Sequence, residues 1–142
     1  MNLIEIPFVK KVGIQKTAAG KLELPYTHDV HNHLETIHAS AQFALAETSS
    51  GEILQTLFPE LADQIIPILR ESKIKYKNPA NKNISAFPSV SEEARTKFNE
   101  QFSKKGRALI PVEVEVRDAD NAVTCIATFN WFIQHISPQT TE

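Results

Sequence analysis

The last third of the chain carries the plainest pattern of apolar and polar positions. Val112, Val114 and Val116 alternate with Glu113, Glu115 and Arg117, the period of two that marks a strand with one buried face. The pattern predicts a strand over 108–117, a hairpin turn at Asp118-Ala119-Asp120-Asn121, and a long apolar strand over 122–136 carrying Phe129, Trp131, Phe132 and Ile133. Upstream, Ser91 followed by Glu92 and Glu93 reads as a helix start, because a hydroxyl caps free amides and anions suit the first turn. Lys104, Lys105 and then Gly106 read as its end, which predicts a helix near 91–105. Residues 65–76 and 84–90 read as strands on either side of the breaker Asn78-Pro79-Ala80-Asn81.

Residues 59–63 read as a turn or short helix. The segment 39–57, rich in Ala, Leu, Phe and Glu, predicts a long helix. Thr36 is its candidate cap, with the boundary open by a few residues either way. Ala39, Ser40, Ala41, Ala44 and Ala46 would let the helix lie close to another surface, and Gly51 predicts a bend or interruption. The polar stretch 27–35 reads as a loop. In the first block, residues 8–14 and 21–24 predict two extended runs joined by a turn at Ala18-Ala19-Gly20. The order is two strands, a long helix, two strands, a second helix and a final hairpin. That is an α+β arrangement, an antiparallel sheet wrapped on one central helix, with residues 1–142 forming a single domain.

Composition narrows the function classes. The 142 residues are 42% apolar and 23% charged with a net charge of -2, an ordinary globular balance able to bury a core without disulfides or a structural metal. No dense basic face exists for phosphates, so nucleic acid is not expected as a partner. Lys73, Lys75 and Lys77 alternate at strand spacing and read as the solvated face of a strand. The lone Cys125 sits in an apolar run and reads as a buried, inert thiol. No stretch approaches the length of a membrane span, and no leader pattern opens the chain, so the expected setting is the cytoplasm with no membrane contact. His28, His31, His33 and His38 lie at spacings of three, two and five on a loop, which is not a zinc pattern, and no metal is expected. Ser40 and Ser49 lack a Gly-x-Ser-x-Gly context.

Three segments together resemble the hotdog-fold acyl-CoA thioesterase superfamily, in the phenylacetyl-CoA thioesterase-like branch or an uncharacterised relative of it. The stretch from Asn32 to Thr48 resembles the family signature in which an Asn, a Gly-Thr and a His-Gly-Gly lead into a helix carrying Leu-Ala-Asp-Thr. Lys75-Tyr76-Lys77-Asn78-Pro79-Ala80, followed by Ile84-Ser85-Ala86, resembles the strand, Pro-Ala, strand element after the helix. Residues 106–132 resemble the closing hairpin. The resemblance runs in order over residues 8–135.

It implies a hotdog fold, an acyl-CoA or acyl-carrier-protein thioester as substrate, no cofactor, and a homodimer or dimer of dimers with the site at the dimer interface. Glu47 matches the helix carboxylate that serves as general base or nucleophile, and Asn32 the residue that places water or carbonyl. His38 matches a positioning histidine. Ala39 or Ser40 matches the Gly-Gly whose amide meets the thioester carbonyl, with Thr36 and His33 beside them as substrate-binding residues. Glu47 would then face residues 32–40 of the partner chain. The chain departs from the pattern at Ala39-Ser40 for Gly-Gly, at Glu35 for Gly and at Glu47 for Asp. The helix at 91–105 replaces a plain turn or strand. Two other readings accompany this one: a hotdog hydratase or dehydratase using His33 with Glu47, and a non-catalytic acyl-CoA-binding module. Phe129, Trp131 and Phe132 read as core or dimer-sheet residues.

Overall fold

In the computed structural model, which describes residues 1–136, the period-two pattern becomes a hairpin of β5 (Arg107–Asp118) and β6 (Val123–His135). Val112, Val114 and Val116 are buried while Glu113 stands exposed, so the alternation sorts faces as the sequence implies. Asp118 closes the turn: its Oδ1 accepts from the amides of Asp120 (2.9 Å) and Ala122 (3.0 Å), and Asn121 adopts φ +68°.

Four more strands complete one antiparallel sheet: β1 (Gln15–Lys16), β2 (Leu22–Leu24), β3 (Ile65–Tyr76) and β4 (Ile84–Ser89). Their order across the sheet is β1-β2-β4-β5-β6-β3. One edge is the two-residue β1. The other is β3, twelve residues long, paired to β6 with a register shift between Leu69 and Glu71. Its outer edge has no partner among the described residues.

Helix α2 (Ala39–Leu57) lies across the sheet. Ala41, Ala44, Leu45, Ala46 and Leu54 are buried, and the small residues let the helix axis come close. It runs unbroken through Gly51, against the expected interruption. A Cβ at Gly51 would stand 3.5 Å from Trp131 Cζ2, so the helix passes close over the indole at this point. Trp131 Nε1 also donates to Ser50 Oγ (2.9 Å), which donates to the Glu47 carbonyl (2.7 Å). Phe129 and Trp131 face the helix, whereas Phe132 lies on the opposite face of the sheet.

Helix α3 (Glu92–Lys105) starts on Ser91, whose Oγ accepts from Ala94 N (3.1 Å), and ends on Gly106 at φ +68°. It follows β5 where β4 has ended, burying Phe98 against Phe58 and Phe102 with ring centroids 4.9 and 5.2 Å apart.

Two expectations change. Residues 8–14 are not extended: α1 (Pro7–Val12) is a helix, with Pro7 in its first turn and Gly13 left-handed at its end. Proline at the start and glycine past the end outweigh the β-branched residues between them. Residues 28–30 form a 3-10 turn inside the expected loop.

Candidate active site

The segment before α2 is built around one side chain. Asn32 Oδ1 accepts from the amides of Leu34 (2.8 Å) and Thr36 (3.1 Å), and its Nδ2 donates to Thr36 Oγ1 (2.8 Å). The backbone closes the same turn, Asn32 N donating to Thr36 O at 2.8 Å. Glu35 sits inside it at φ +62°, a left-handed conformation natural to glycine and strained in glutamate. Tyr26 Oη donates to the Glu35 carbonyl and pins that conformation. Asn32 is therefore chiefly the organiser of the turn.

The helix cap moves from Thr36 to His38. Ile37 and His38 still donate as strand-like residues, to Ala80 O (2.7 Å) and Val30 O (2.8 Å). His38 then caps α2 with its ring, Nδ1 accepting from Ser40 N at 3.0 Å. With Nδ1 an acceptor, the neutral ring carries its proton on Nε2. Ala41 N and Gln42 N both donate to His38 O, at 2.9 and 3.1 Å. Of the first four helical amides, Ala39 N alone lacks a protein acceptor among the described residues. It carries the positive end of a 19-residue helix.

A cleft of about 510 Å³ opens beside this end, walled by Asn32, Thr36, Ala39, Gln42, Tyr76 and Asn78 among others. Tyr76, the last residue of β3, donates from Oη to the Ala39 carbonyl (3.1 Å), and Asn78 Nδ2 donates to Val123 O (2.7 Å). Gln42 is only 4% exposed, and its Oε1 has no hydrogen-bond partner. Gln42, Tyr76, Lys77 and Asn78 are cleft residues that the sequence reading did not assign to the site. The available signal was Gln42 standing polar within the apolar run 41–46, three residues after Ala39.

Not every expected residue reaches this cleft. Asn32, Thr36 and Ala39 line it, while His33, His38 and Ser40 are exposed and do not. Glu47 is half-buried on α2, and its carboxylate makes no hydrogen bond or ion pair among the described residues. Burial raises its pKa above the ordinary carboxylate value. Five residues separate it from Gln42, about 140° around the helix at 3.6 residues per turn. It shares a stripe with Phe43, which packs edge-on to Phe129 at 5.5 Å. Within the chain, then, the cleft and the carboxylate lie on different sides of α2. Cys125 is buried, and burial pushes its thiol up to about 11. No described helix is long and apolar enough to cross a membrane.

Solved structures share this architecture. A Pseudomonas aeruginosa protein of unknown function, described as a probable thioesterase, superposes with a TM-score of 0.80 at 22% identity, over 94% of this chain and 91% of its own. A Haemophilus influenzae thioesterase superposes at 0.76 and 15% identity, over 97% and 90%. A Bacillus halodurans protein crystallised with CoA superposes at 0.67 and 21% identity, over 86% and 72%. No curated protein matches the chain. At these identities the likeness is one of fold, and the fold is the hotdog. Residues 4–133 match the family described as a domain of unknown function (DUF4442), and the chain belongs to that family.

Proposed function

We propose that this protein hydrolyses an acyl thioester, of CoA or of an acyl-carrier protein, at a site shared between two protomers. The observation that carries the reading is the unengaged Ala39 amide at the positive end of α2, beside a cleft that Ala39 helps to line. Such a donor is what an acyl transfer needs, because negative charge develops on the carbonyl oxygen during attack. The hotdog neighbours called thioesterases, and the one crystallised with CoA, support the same substrate chemistry.

The chemistry follows from the two groups. Glu47, ionised, takes a proton from water as the water oxygen bonds to the thioester carbon. The carbonyl oxygen becomes an oxyanion and accepts from Ala39 N–H. Collapse breaks the C–S bond, and the proton held by Glu47 passes to the leaving thiolate, giving carboxylic acid and thiol. Burial suits Glu47 to this work, since it raises proton affinity toward the working pH.

Because Glu47 and the cleft occupy different sides of α2, the catalytic set is completed by a partner. The long open edge of β3 is the natural seam: joining two copies there satisfies its backbone groups and hides the edge. Asn32 and the His38 cap keep the amide in place. No observation favours the hydratase reading, which needs His33 near the carboxylate.

The test is purified protein with a panel of acyl-CoAs, followed by thiol release. Wild type should turn over at least one class, and Glu47→Gln should lower kcat by about 10²–10⁴-fold. Full activity in Glu47→Gln would end this mechanism. An acyl-CoA that binds tightly and stays intact for hours would point to the binding-module reading.

A further inference from the structure

Most polar side chains on the wall of the cleft are already engaged within the protein. Asn32 holds its turn through both ends of its amide, and Thr36 Oγ1 accepts from it. Tyr76 Oη donates to the Ala39 carbonyl, and Asn78 Nδ2 to Val123 O. Two remain. Lys77 is an exposed cation. Gln42 is the opposite case, more than nine-tenths buried and with no side-chain hydrogen bond among the described residues.

Nothing in the helix calls for a glutamine there. Its neighbours Ala41, Ala44, Leu45 and Ala46 are buried, and an apolar side chain of the same length would fill the position. A buried primary amide with both ends unanswered lowers stability, because it has lost water and gained no partner. The two ends differ. Oε1 is sealed from solvent, whereas Nε2, equally unpaired, is not among the sealed atoms. The end within reach of a molecule in the cleft is therefore the donor end.

Helix geometry sets this donor beside the free backbone amide. Gln42 follows Ala39 by three residues, on the same face and about 4.5 Å further along the axis. Helical side chains lean back toward the N-terminus, over the turn that precedes them. A glutamine side chain is long enough to span that one turn, and both residues line the cleft. Ala39 N–H and the Gln42 amide thus converge on one end of α2.

We propose that Gln42 is a catalytic residue, its Nε2 giving the second hydrogen bond to the oxyanion that accepts from Ala39 N–H. The inference rests on the thioester hydrolysis proposed above and adds no covalent step. Neither donor surrenders its proton, and both bonds strengthen as charge moves onto the carbonyl oxygen. A neutral donor already stripped of water suits this task, since it needs no desolvation when the charge forms. The unanswered amide is then a cost in the resting protein that is recovered in the transition state.

Gln42→Met tests the assignment, because it keeps the length and removes both the donor and the sealed oxygen. Three quantities are measured: thiol release from the best acyl-CoA, the melting temperature, and the affinity for an S-alkyl-CoA, which keeps the CoA arm and lacks the thioester carbonyl. The variant should lose about 10²–10³-fold in kcat. Its KM and its affinity for the S-alkyl-CoA should stay within about twofold of wild type, because the lost bond belongs to the transition state. Its melting temperature should equal or exceed that of wild type, whereas a glutamine that merely supports the fold would leave a less stable protein when replaced. Wild-type kcat in Gln42→Met would overturn the proposal. So would a raised KM with weakened S-alkyl-CoA binding and unchanged kcat, which would assign the amide to the CoA arm instead. Glu47→Gln, assayed alongside, separates this failure from that of the reaction itself. If it is inactive while Gln42→Met is fully active, the role of Gln42 alone is wrong. If wild type hydrolyses no acyl-CoA, the thioesterase reading fails and takes this one with it.

Discussion

At the start of α3, Ser91 caps Ala94 N while Glu92 and Glu93 face the positive end of the dipole; at the start of α2, a histidine ring caps Ser40 N, no acid lies in the first turn, and Ala39 N is left free. Both helices are long enough for their ends to carry appreciable partial charge. The helix whose role is to cover β5 has that charge answered locally. The helix that walls the cleft leaves that charge unanswered at Ala39 N, the amide to which the proposed mechanism gives the oxyanion. A departure from local stability rules of this kind marks where a fold gives up stability for a site.

The sharpest way to break the comparison is Ala39→Pro. Proline is well tolerated in the first helical turn, and His38, at φ -58° and ψ 139°, already has the extended backbone that precedes a proline. The change removes only the free N–H. Turnover should fall about 10²–10³-fold with little change in melting temperature. Full turnover would show that the amide has no part in the reaction.

The pH profile is the next test. In the proposed mechanism Glu47 must be ionised to serve as the base, and burial raises its pKa, so activity should fall about tenfold per pH unit on an acidic limb lying above the ordinary glutamate range. The stability linkage has the opposite sign. With the folded pKa above the unfolded one, the stability associated with Glu47 is fully present below the unfolded pKa and is lost as pH rises through the folded pKa. Glu47→Gln should therefore melt higher than wild type at neutral pH, with the gap closing in acid, as thermal melts across pH would reveal.

A smaller effect is expected at the other helix. Ser91→Ala removes an ordinary cap and should cost about 1 kcal/mol, lowering the melting temperature by roughly 3–5 °C, while kcat stays at the wild-type value. Smallest of all, Glu35→Gly relieves a left-handed glutamate and should raise stability by about 0.5 kcal/mol in chemical denaturation. A loss of stability there would mean that the glutamate side chain holds the turn.

The same contrast governs how much of the molecule can be read from its residues. Helix α3 was fully readable, because Ser91, Glu92, Lys105 and Gly106 are local signals that the tertiary structure leaves unopposed. The β5–β6 hairpin was readable for the same reason. In α1, the signals at Pro7 and Gly13 were present, but Val9, Val12 and Ile14 suggested a strand more strongly. The cap of α2 was missed because a histidine nitrogen is not among the usual capping groups. The cleft was only half readable. Asn32, Thr36 and Ala39 lie in one segment, whereas Tyr76 comes 37 residues after Ala39, and only the turn of β3 back to the helix brings them together. The different faces of Gln42 and Glu47 become visible once the phase of the helix against the sheet is known.

The hydrogen bond from Trp131 to Ser50 gives the protein an optical handle. Trp131 is the sole tryptophan in the chain, and its indole rests on the same helix that carries Ala39, Gln42 and Glu47. Its emission reports on the seating of that helix against β6. Any change in that seating, and unfolding of the sheet, can be followed in the native protein without a label.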